Sequence, residues 1–172
     1  MTTTGPTGRQ PDQKKAEKKH VSKRTLRRYG RVLFVIYLIA LTYFLFFAEW
    51  YDHQPGKHWQ YHYNFVPFME IRRFIRYGSQ LGNLSVFFNL FGNILGFLPF
   101  GFFLPVISPK MHHAARVILL GAVASTAVEL IQLVTRTGIC DIDDVILNTI
   151  GAAAGYGLFH LTNELRRKVY GR

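Results

Sequence analysis

The chain has 172 residues, enough for one domain, and 49% of them are apolar. Its formal net charge of +11 would suit a nucleic-acid-binding protein, but its basic residues are not interleaved with aromatic residues as on such surfaces. The apolar residues are concentrated in four runs, each close to the ~20 residues that cross a bilayer. The composition excludes a soluble globular domain, argues against nucleic acid as a partner, and predicts an all-α integral membrane protein.

The first 28 residues are polar and basic, and they are predicted to be a disordered head because they hold too few apolar side chains to offset the entropy of ordering. The first apolar run follows at residues 32–48. No A-x-A-like cleavage site follows this run, so it is predicted to be an uncleaved signal anchor. The predicted membrane domain covers residues 29–165, and residues 166–172 form a basic tail.

A loop of residues 52–83 follows the first run and contains a helical pattern of a different kind. After Pro67, apolar residues recur three and four positions apart, with arginines between them. This spacing gives one apolar and one basic face, and it predicts an amphipathic helix lying in the membrane interface. The residues of the two faces are Phe68, Ile71, Phe74 and Ile75, and Arg72, Arg73 and Arg76.

Three further apolar runs complete a predicted bundle of about four transmembrane helices, at residues 84–107, 117–134 and 145–161. Gly92 and Gly96 lie in the first of these runs, and Gly151 and Gly155 lie in the last. Small residues four positions apart let helices approach closely in a membrane, so both pairs are predicted to pack within the bundle. Association of two copies of the chain through Gly151 and Gly155 is the alternative interpretation.

The distribution of positive charge predicts the orientation of the bundle. Sixteen of the 21 Lys and Arg residues lie before the first run, between the second and third runs, or after the fourth. Cytoplasmic segments carry such an excess, so we expect a multi-pass cell-membrane protein with both termini in the cytoplasm. The amphipathic helix would then lie at the outer face. Cys140 would also lie outside, and as the single cysteine it cannot form an intramolecular disulfide.

Glu129 lies inside the third apolar run, where an ionised side chain costs roughly 2.5–3.5 kcal/mol on insertion scales. Such a carboxylate faces a polar partner or a cavity rather than lipid. Polar residues of the neighbouring runs fall at a similar depth, each set on one helical face. The cluster predicts an outward-facing binding pocket with Arg136 at its mouth; the alternative is a hydrogen-bonded clasp that only fixes the bundle. The predicted pocket residues are Asn89, Asn93, Glu129, Gln132, Arg136, Asp141, Asp143, Asp144 and Asn148.

The same residues carry a resemblance to the VanZ-like family. The motifs that resemble it are NLFGNILGFLPFGFFLP from Asn89, VELIQ from Val128 and DIDDVILNTIG from Asp141. The shorter segment NFVPF from Asn64 is similar to the family's motif after the first span. The resemblance covers about residues 32–161 and leaves out the basic head. It implies a small polytopic bacterial membrane protein, in a family whose name-giving member is linked to teicoplanin resistance, and it implies no catalytic residues.

Three functions fit these observations. The first function is not enzymatic. The pocket, surrounded by membrane lipids, binds or shields a lipid-linked cell-wall precursor or a glycopeptide. As a result, teicoplanin reaches its target less well. In the second, an enzyme acts on lipid headgroups or isoprenoid-linked intermediates, with Glu129 and Asp144 as candidate catalytic residues and Glu129 as general base. A small transporter is the third function, disfavoured by the lack of an internal repeat.

Only the enzyme hypothesis involves a metal. Asp141, Asp143 and Asp144 could hold a divalent cation such as Mg²⁺, because carboxylate oxygens are its preferred ligands. The same three residues also suit the first turn of a helix, where the helix dipole favours negative charge. No other cofactor is expected.

Overall fold

The computed structural model describes residues 23–50, 63–77, 83–135 and 140–170, so the disorder predicted for the first 22 residues lies outside the described residues. Helices make up most of the described chain, together with a 3-10 turn and one pair of very short strands. In chain order the elements are α1 (Lys23–Trp50), β1 (Tyr63–Asn64), α2 (Met69–Tyr77), α3 (Asn83–Ile107), the 3-10 turn (Pro109–Met111), α4 (Ala114–Thr135), β2 (Cys140–Asp141) and α5 (Ile142–Tyr170).

Within the described residues, α1, α3, α4 and α5 are long and apolar enough to cross a membrane. Each contains one of the four predicted runs, so the predicted all-α bundle of four transmembrane helices is confirmed. α1 begins at Lys23, inside the segment predicted to be a disordered head, and α5 extends to Tyr170, through most of the predicted tail. The helices extend beyond the apolar runs because Lys, Arg and Glu are themselves good helix formers.

The short helix α2 lies where the amphipathic helix is predicted, with Arg72, Arg73 and Arg76 exposed to solvent. Phe68, predicted as the first apolar residue of this helix, lies just before it. The φ angle of Phe68 is 63°, in the left-handed region that bulky residues rarely adopt. The chain therefore turns sharply at Phe68, and the helix begins one residue later.

Helices α3 and α5 make the most extensive contact in the bundle, and their backbones touch. A Cβ atom on Gly155 would lie 2.9 Å from the carbonyl carbon of Leu98. Gly101 and Gly151 approach the backbone of the facing helix in the same way. Gly151 and Gly155 therefore make intramolecular contacts with α3. A homodimer through them stays a prediction.

Gly92 and Gly96 do not make the close helix contact that the sequence predicts. A Cβ atom on Gly92 would meet nothing within 4 Å, and one on Gly96 would lie 3.6 Å from Cδ1 of Leu41 in α1. The close approach on α3 falls instead at Gly101, because α3 is turned so that Gly92 and Gly96 border a cavity.

Helix α1 packs one side against α3 and exposes the other. The Tyr37 hydroxyl donates a hydrogen bond to the backbone oxygen of Gly96, with an O···O distance of 2.7 Å. The rings of Phe34 and Phe100 pack with their centroids 5.8 Å apart. Apolar side chains on the other side, such as Ile39, are exposed and suit contact with lipid. Helix α1 therefore packs on the outside of the α3–α5 pair.

Candidate functional site

Two segments that are far apart in sequence are tied together at one end of the bundle. β1 and β2 pair in parallel, with Asn64 opposite Asp141. The Asn64 amide donates to both carboxylate oxygens of Asp141, at 3.3 and 3.2 Å. Its own oxygen accepts from the backbone N–H of Val66 at 3.1 Å, the local turn that Asn side chains favour. We call the contact between residues 63–68 and 140–143 the latch.

Asp143 completes the latch from the start of α5. Its side chain is fully buried, and Oδ1 accepts a hydrogen bond from the backbone N–H of Phe68. A bulky residue in the left-handed region costs of order 1–3 kcal/mol and persists only where its surroundings fix it. The Asp143 carboxylate supplies that constraint, because it binds the N–H of the strained residue itself.

Glu129 of α4 holds the opposite side of the latch. Its buried Oε2 accepts a hydrogen bond from the backbone N–H of Asp141 at 2.9 Å. Asp141 in turn caps α5, because its Oδ1 accepts from the backbone N–H of Asp143 at 2.8 Å. Three of the acidic residues predicted for the pocket therefore hold β2 and the start of α5 in place.

Among the described residues, no group of three or more His, Cys, Asp or Glu side chains is placed to hold a metal ion. The triplet suggested for Mg²⁺ is dispersed: Asp141 and Asp143 bind donors in the latch, whereas Asp144 accepts from the amide of Asn93 on α3. The metal site drawn from the sequence is therefore not formed by these three side chains.

Cys140 lies buried in β2, within the latch. Burial raises the pKa of its thiol, and the carboxylates of Glu129 and Asp141 raise it further. A thiol is reactive only as the thiolate, so this cysteine is a poor nucleophile at neutral pH.

A cavity of about 500 Å³ lies between α1 and the three helices α3, α4 and α5. Two hydrogen bonds cross the space between these helices: Asn93 donates to Asp144, and Gln132 donates to the backbone oxygen of Leu45 at 2.9 Å. The polar side chains of the lining come mainly from α4 and α5, with Asn93 from α3, whereas the α1 side is apolar apart from the Tyr37 hydroxyl. The lining residues are Tyr37, Ala40, Leu41, Phe44, Leu45, Gly92, Asn93, Leu95, Gly96, Pro99, Glu129, Gln132, Asp144 and Asn148.

Asn148 is the polar residue of this lining whose hydrogen bonding is incomplete. It is 1% exposed, and its Nδ2 donates to the Ser125 hydroxyl at 2.8 Å. In the described part of the chain, its Oδ1 is the one buried side-chain polar atom without a hydrogen-bond partner. A buried acceptor without a donor costs about 1–3 kcal/mol, and no described residue offsets this cost.

The cavity brings together five of the nine residues predicted for the pocket. Asp141 and Asp143 belong to the latch and do not line it. The side chain of Asn89 and the whole of Arg136 lie outside the described residues. That this cavity binds a ligand stays a prediction. The five lining residues are Asn93, Glu129, Gln132, Asp144 and Asn148.

Sequence reasoning missed the wall that α1 contributes. Leu41, Phe44 and Leu45 line the cavity, but apolar residues in a transmembrane run carry no sign of which neighbour they cover. The hydroxyl of Tyr37 inside that run was the available signal, because a buried hydroxyl needs a hydrogen-bond partner on another helix. The sequence does not reveal the latch either, although Asn64 lies in one of the motifs that carry the family resemblance.

Comparisons with known proteins agree with the resemblance drawn from the motifs. No solved structure matches the chain. Among curated proteins, Protein VanZ of Enterococcus faecium is 29% identical over 136 residues, which cover 78% of this chain and 76% of the relative. The family model described as VanZ/LLP1 matches residues 34–163, a range that includes the latch and the whole cavity lining. The chain therefore belongs to the VanZ/LLP1 family.

Proposed function

We propose that this VanZ-family protein binds the polar part of a lipid-linked envelope component in the cavity, and thereby lowers the susceptibility of the cell to teicoplanin. The observation that carries the proposal is the cavity, which combines polar side chains, mainly from α4 and α5, with apolar side chains from α1 and α3. An amphiphile presents the same two kinds of surface. The link to teicoplanin rests on membership of the family and on the relative Protein VanZ.

The charge distribution supports an orientation in which the cavity serves the outer leaflet. Lys and Arg are in excess before α1, between α3 and α4, and at the end of α5, which favours a cytoplasmic location for all three segments. The latch then lies at the outer face, at the end of the bundle where a glycopeptide approaches the cell. The cavity lies just below it, because Glu129 takes part in both.

A purely structural clasp explains part of the site only. The hydrogen bond from the Asp141 N–H to Glu129 fixes β2 against α4 beside the latch. Such bonds do not explain the open volume beside Glu129, or the buried Asn148 oxygen that no described donor satisfies. A clasp would close upon itself and satisfy its own polar atoms. These two features favour a binding site.

A membrane enzyme that acts on lipid headgroups is the second candidate, and one observation favours it. Glu129 and Asp144 line the same cavity, as general acid–base chemistry on a single substrate requires. Against it, Glu129 is engaged by the backbone N–H of Asp141 and so has a positional role. We therefore rank the binding function first.

Filling the cavity tests the proposed function. Gly92→Leu adds a large side chain to the cavity lining at a position where a Cβ atom meets nothing within 4 Å. Gly157→Leu is the matched control, since Gly157 has the same free space but does not line the cavity. In a glycopeptide-sensitive Gram-positive host, we expect wild type and Gly157→Leu to give teicoplanin resistance. Gly92→Leu should lose it at the same membrane level, with vancomycin susceptibility unchanged throughout.

A second variant, Glu129→Gln, separates binding from catalysis. The new amide still offers an oxygen to the N–H of Asp141, so the latch should hold. If Glu129 is a general base, this variant loses all resistance while its membrane level and melting temperature stay at wild-type values. Retained resistance would exclude that chemistry. Equal teicoplanin susceptibility of cells with and without the wild-type protein would refute the proposed function itself.

A further inference from the structure

We propose that residues 63–77 form a docking surface for anionic phospholipid, in which exposed apolar side chains enter the membrane beside arginines that bind lipid phosphate groups. The proposal goes beyond the proposed function, because it does not need the cavity to bind a ligand. Three observations carry it: the level at which the latch holds these residues, their exposed apolar side chains, and the basic face of α2. We call residues 63–77 the docking segment.

The latch holds the docking segment at the level where α5 enters the membrane. Asn64 binds Asp141, and the backbone N–H of Phe68 binds the Asp143 carboxylate. The stretch of α5 that is long and apolar enough to cross a membrane begins at Ile142, between these two aspartates. The docking segment is therefore fixed at the boundary between the hydrocarbon core and water, where both headgroups and acyl chains are within reach.

The first half of the docking segment exposes large apolar side chains. Their exposed fractions range from 43% for Met69 to 64% for Tyr63. An apolar patch of this kind marks a site of contact with a membrane or with another protein. At the membrane boundary lipid is the surface that covers it, and tyrosine suits that place because its ring is apolar and its hydroxyl is polar. The exposed residues are Tyr63, Phe65, Val66, Phe68 and Met69.

Helix α2 continues this exposed surface with positive charge. Arg72, Arg73 and Arg76 lie three, four and seven positions after Met69, so the four residues share one helical face. All four side chains are exposed. Glu70 is the one acidic residue of the docking segment, so three arginines against one glutamate give a formal charge of +2. A face of this composition attracts an anionic membrane surface.

Arg72 and Arg76 favour phosphate as the group that is bound. They lie four positions apart on α2, which places their Cβ atoms roughly 5–6 Å from each other. A guanidinium group donates two parallel hydrogen bonds to a phosphate, and two such groups side by side can hold one phosphate. The aliphatic part of each arginine can meanwhile lie against acyl chains. Phosphatidylglycerol fits this surface, whereas phosphatidylcholine adds a choline cation that the arginines repel.

Amide hydrogen exchange of the full-length protein tests the choice of lipid. Nanodiscs of phosphatidylcholine are compared with nanodiscs of phosphatidylcholine and phosphatidylglycerol in equal amounts. Each basic residue near an anionic surface strengthens attachment by about fivefold, so exchange over residues 69–77 should be at least about fivefold slower in the mixture. At about 1 M sodium chloride the Debye length is only about 3 Å, and the difference between the two lipid compositions should disappear.

Two double variants test the assignment of the effect to α2. Arg72→Gln combined with Arg76→Gln should lose the difference between the two lipid compositions. Arg24→Gln combined with Arg28→Gln is the matched control, because these arginines are also exposed and four positions apart, but on α1. It removes the same charge and should keep the difference over residues 69–77. The comparison of lipids on the wild-type protein stands even if a variant fails to fold.

The Met69 methyl group tests whether the apolar part of the docking segment enters the membrane. In protein with isotope-labelled methionine methyl groups, Met69→Leu identifies the Met69 signal in the NMR spectrum. Phosphatidylcholine with a spin label at the top of its acyl chain should broaden this signal. A water-soluble gadolinium chelate should broaden it less, because the membrane shields an inserted side chain from water.

Each outcome bears on one step of the proposal. Equal exchange in the two lipid compositions would overturn anionic lipid as the occupant, in favour of an acidic segment of another protein. Loss of the lipid effect in the α1 control would overturn its assignment to α2. Stronger broadening of the Met69 signal by the gadolinium chelate would overturn insertion into the membrane. None of these measurements involves teicoplanin or the cavity, so their failure leaves the proposed function untouched.

Discussion

Adding one methyl group to Gly155 tests the backbone contact between α3 and α5. In Gly155→Ala the new Cβ atom would lie 2.9 Å from the carbonyl carbon of Leu98 and 2.9 Å from the backbone nitrogen of Phe102. Carbon atoms in contact are normally about 3.5–4.0 Å apart, and the Leu98 carbonyl oxygen lies nearer still, so the two helices must separate by at least roughly 0.6–1.1 Å. Both neighbouring atoms belong to backbone, and no side chain can rotate away to make room.

The cost of that separation can be estimated against a control on the same helix. Overpacking of this kind costs about 1–3 kcal/mol of unfolding free energy. Gly157→Ala meets nothing within 4 Å and should gain about 0.5–1 kcal/mol, because alanine is the better helix former. Gly155→Ala gains the same helix propensity, which cancels in the comparison, so we expect Gly155→Ala to be less stable than Gly157→Ala by about 1–3 kcal/mol.

The measurement is the free energy of unfolding in mixed micelles of dodecyl maltoside with increasing SDS, followed by near-UV circular dichroism. Far-UV signals are unsuitable, because helices persist in SDS after their packing is lost. If Gly155→Ala unfolds within about 0.5 kcal/mol of Gly157→Ala, the range of an ordinary surface substitution, the close packing of α3 on α5 is wrong.

Two further predictions concern the latch. Asn64→Ala removes both hydrogen bonds to Asp141, so amide hydrogen exchange over residues 63–77 should accelerate while that of α3 and α5 is unchanged; unaltered exchange in that segment would contradict the latch. The raised pKa of Cys140 keeps its thiol neutral in the folded protein, so maleimide at about pH 8 should label the folded chain more slowly than the SDS-unfolded chain. The stability that this neutral thiol provides is lost as the pH rises above the ordinary thiol pKa, and equal labelling rates would show that Cys140 is not buried.

The transmembrane helices could be predicted because length and hydropathy are properties of a continuous stretch of chain. The helix α2 could be predicted for a related reason, since its apolar and basic residues alternate with the helical period. The ends of the helices could be predicted less well from the sequence. Lys23 begins α1 in the middle of a basic segment, where charge disfavours membrane burial but does not disfavour helix formation.

The candidate site likewise has features that the sequence predicts and features that it does not. Glu129 and Gln132 share a helical face by their spacing, so their common side of α4 follows from the sequence, and both line the cavity. The rotation of α3 against α5 does not follow, because Gly92 and Gly101 are equally small and only packing decides which one meets a backbone. The latch does not follow either. Its bonds join positions 75 and 77 residues apart, and no periodicity records such pairs.

The separation in sequence between Tyr37 of α1 and its hydrogen-bond partner Gly96 of α3 bears on how the protein folds during synthesis. Tyr37 donates its hydrogen bond to Gly96, 59 residues later, which a ribosome working at about 5–20 residues per second needs roughly 3–12 s to add. During that delay the nascent α1 has a polar hydroxyl in the membrane and no partner from α3. Helix α1 therefore cannot take its final place in the bundle until α3 has been synthesised.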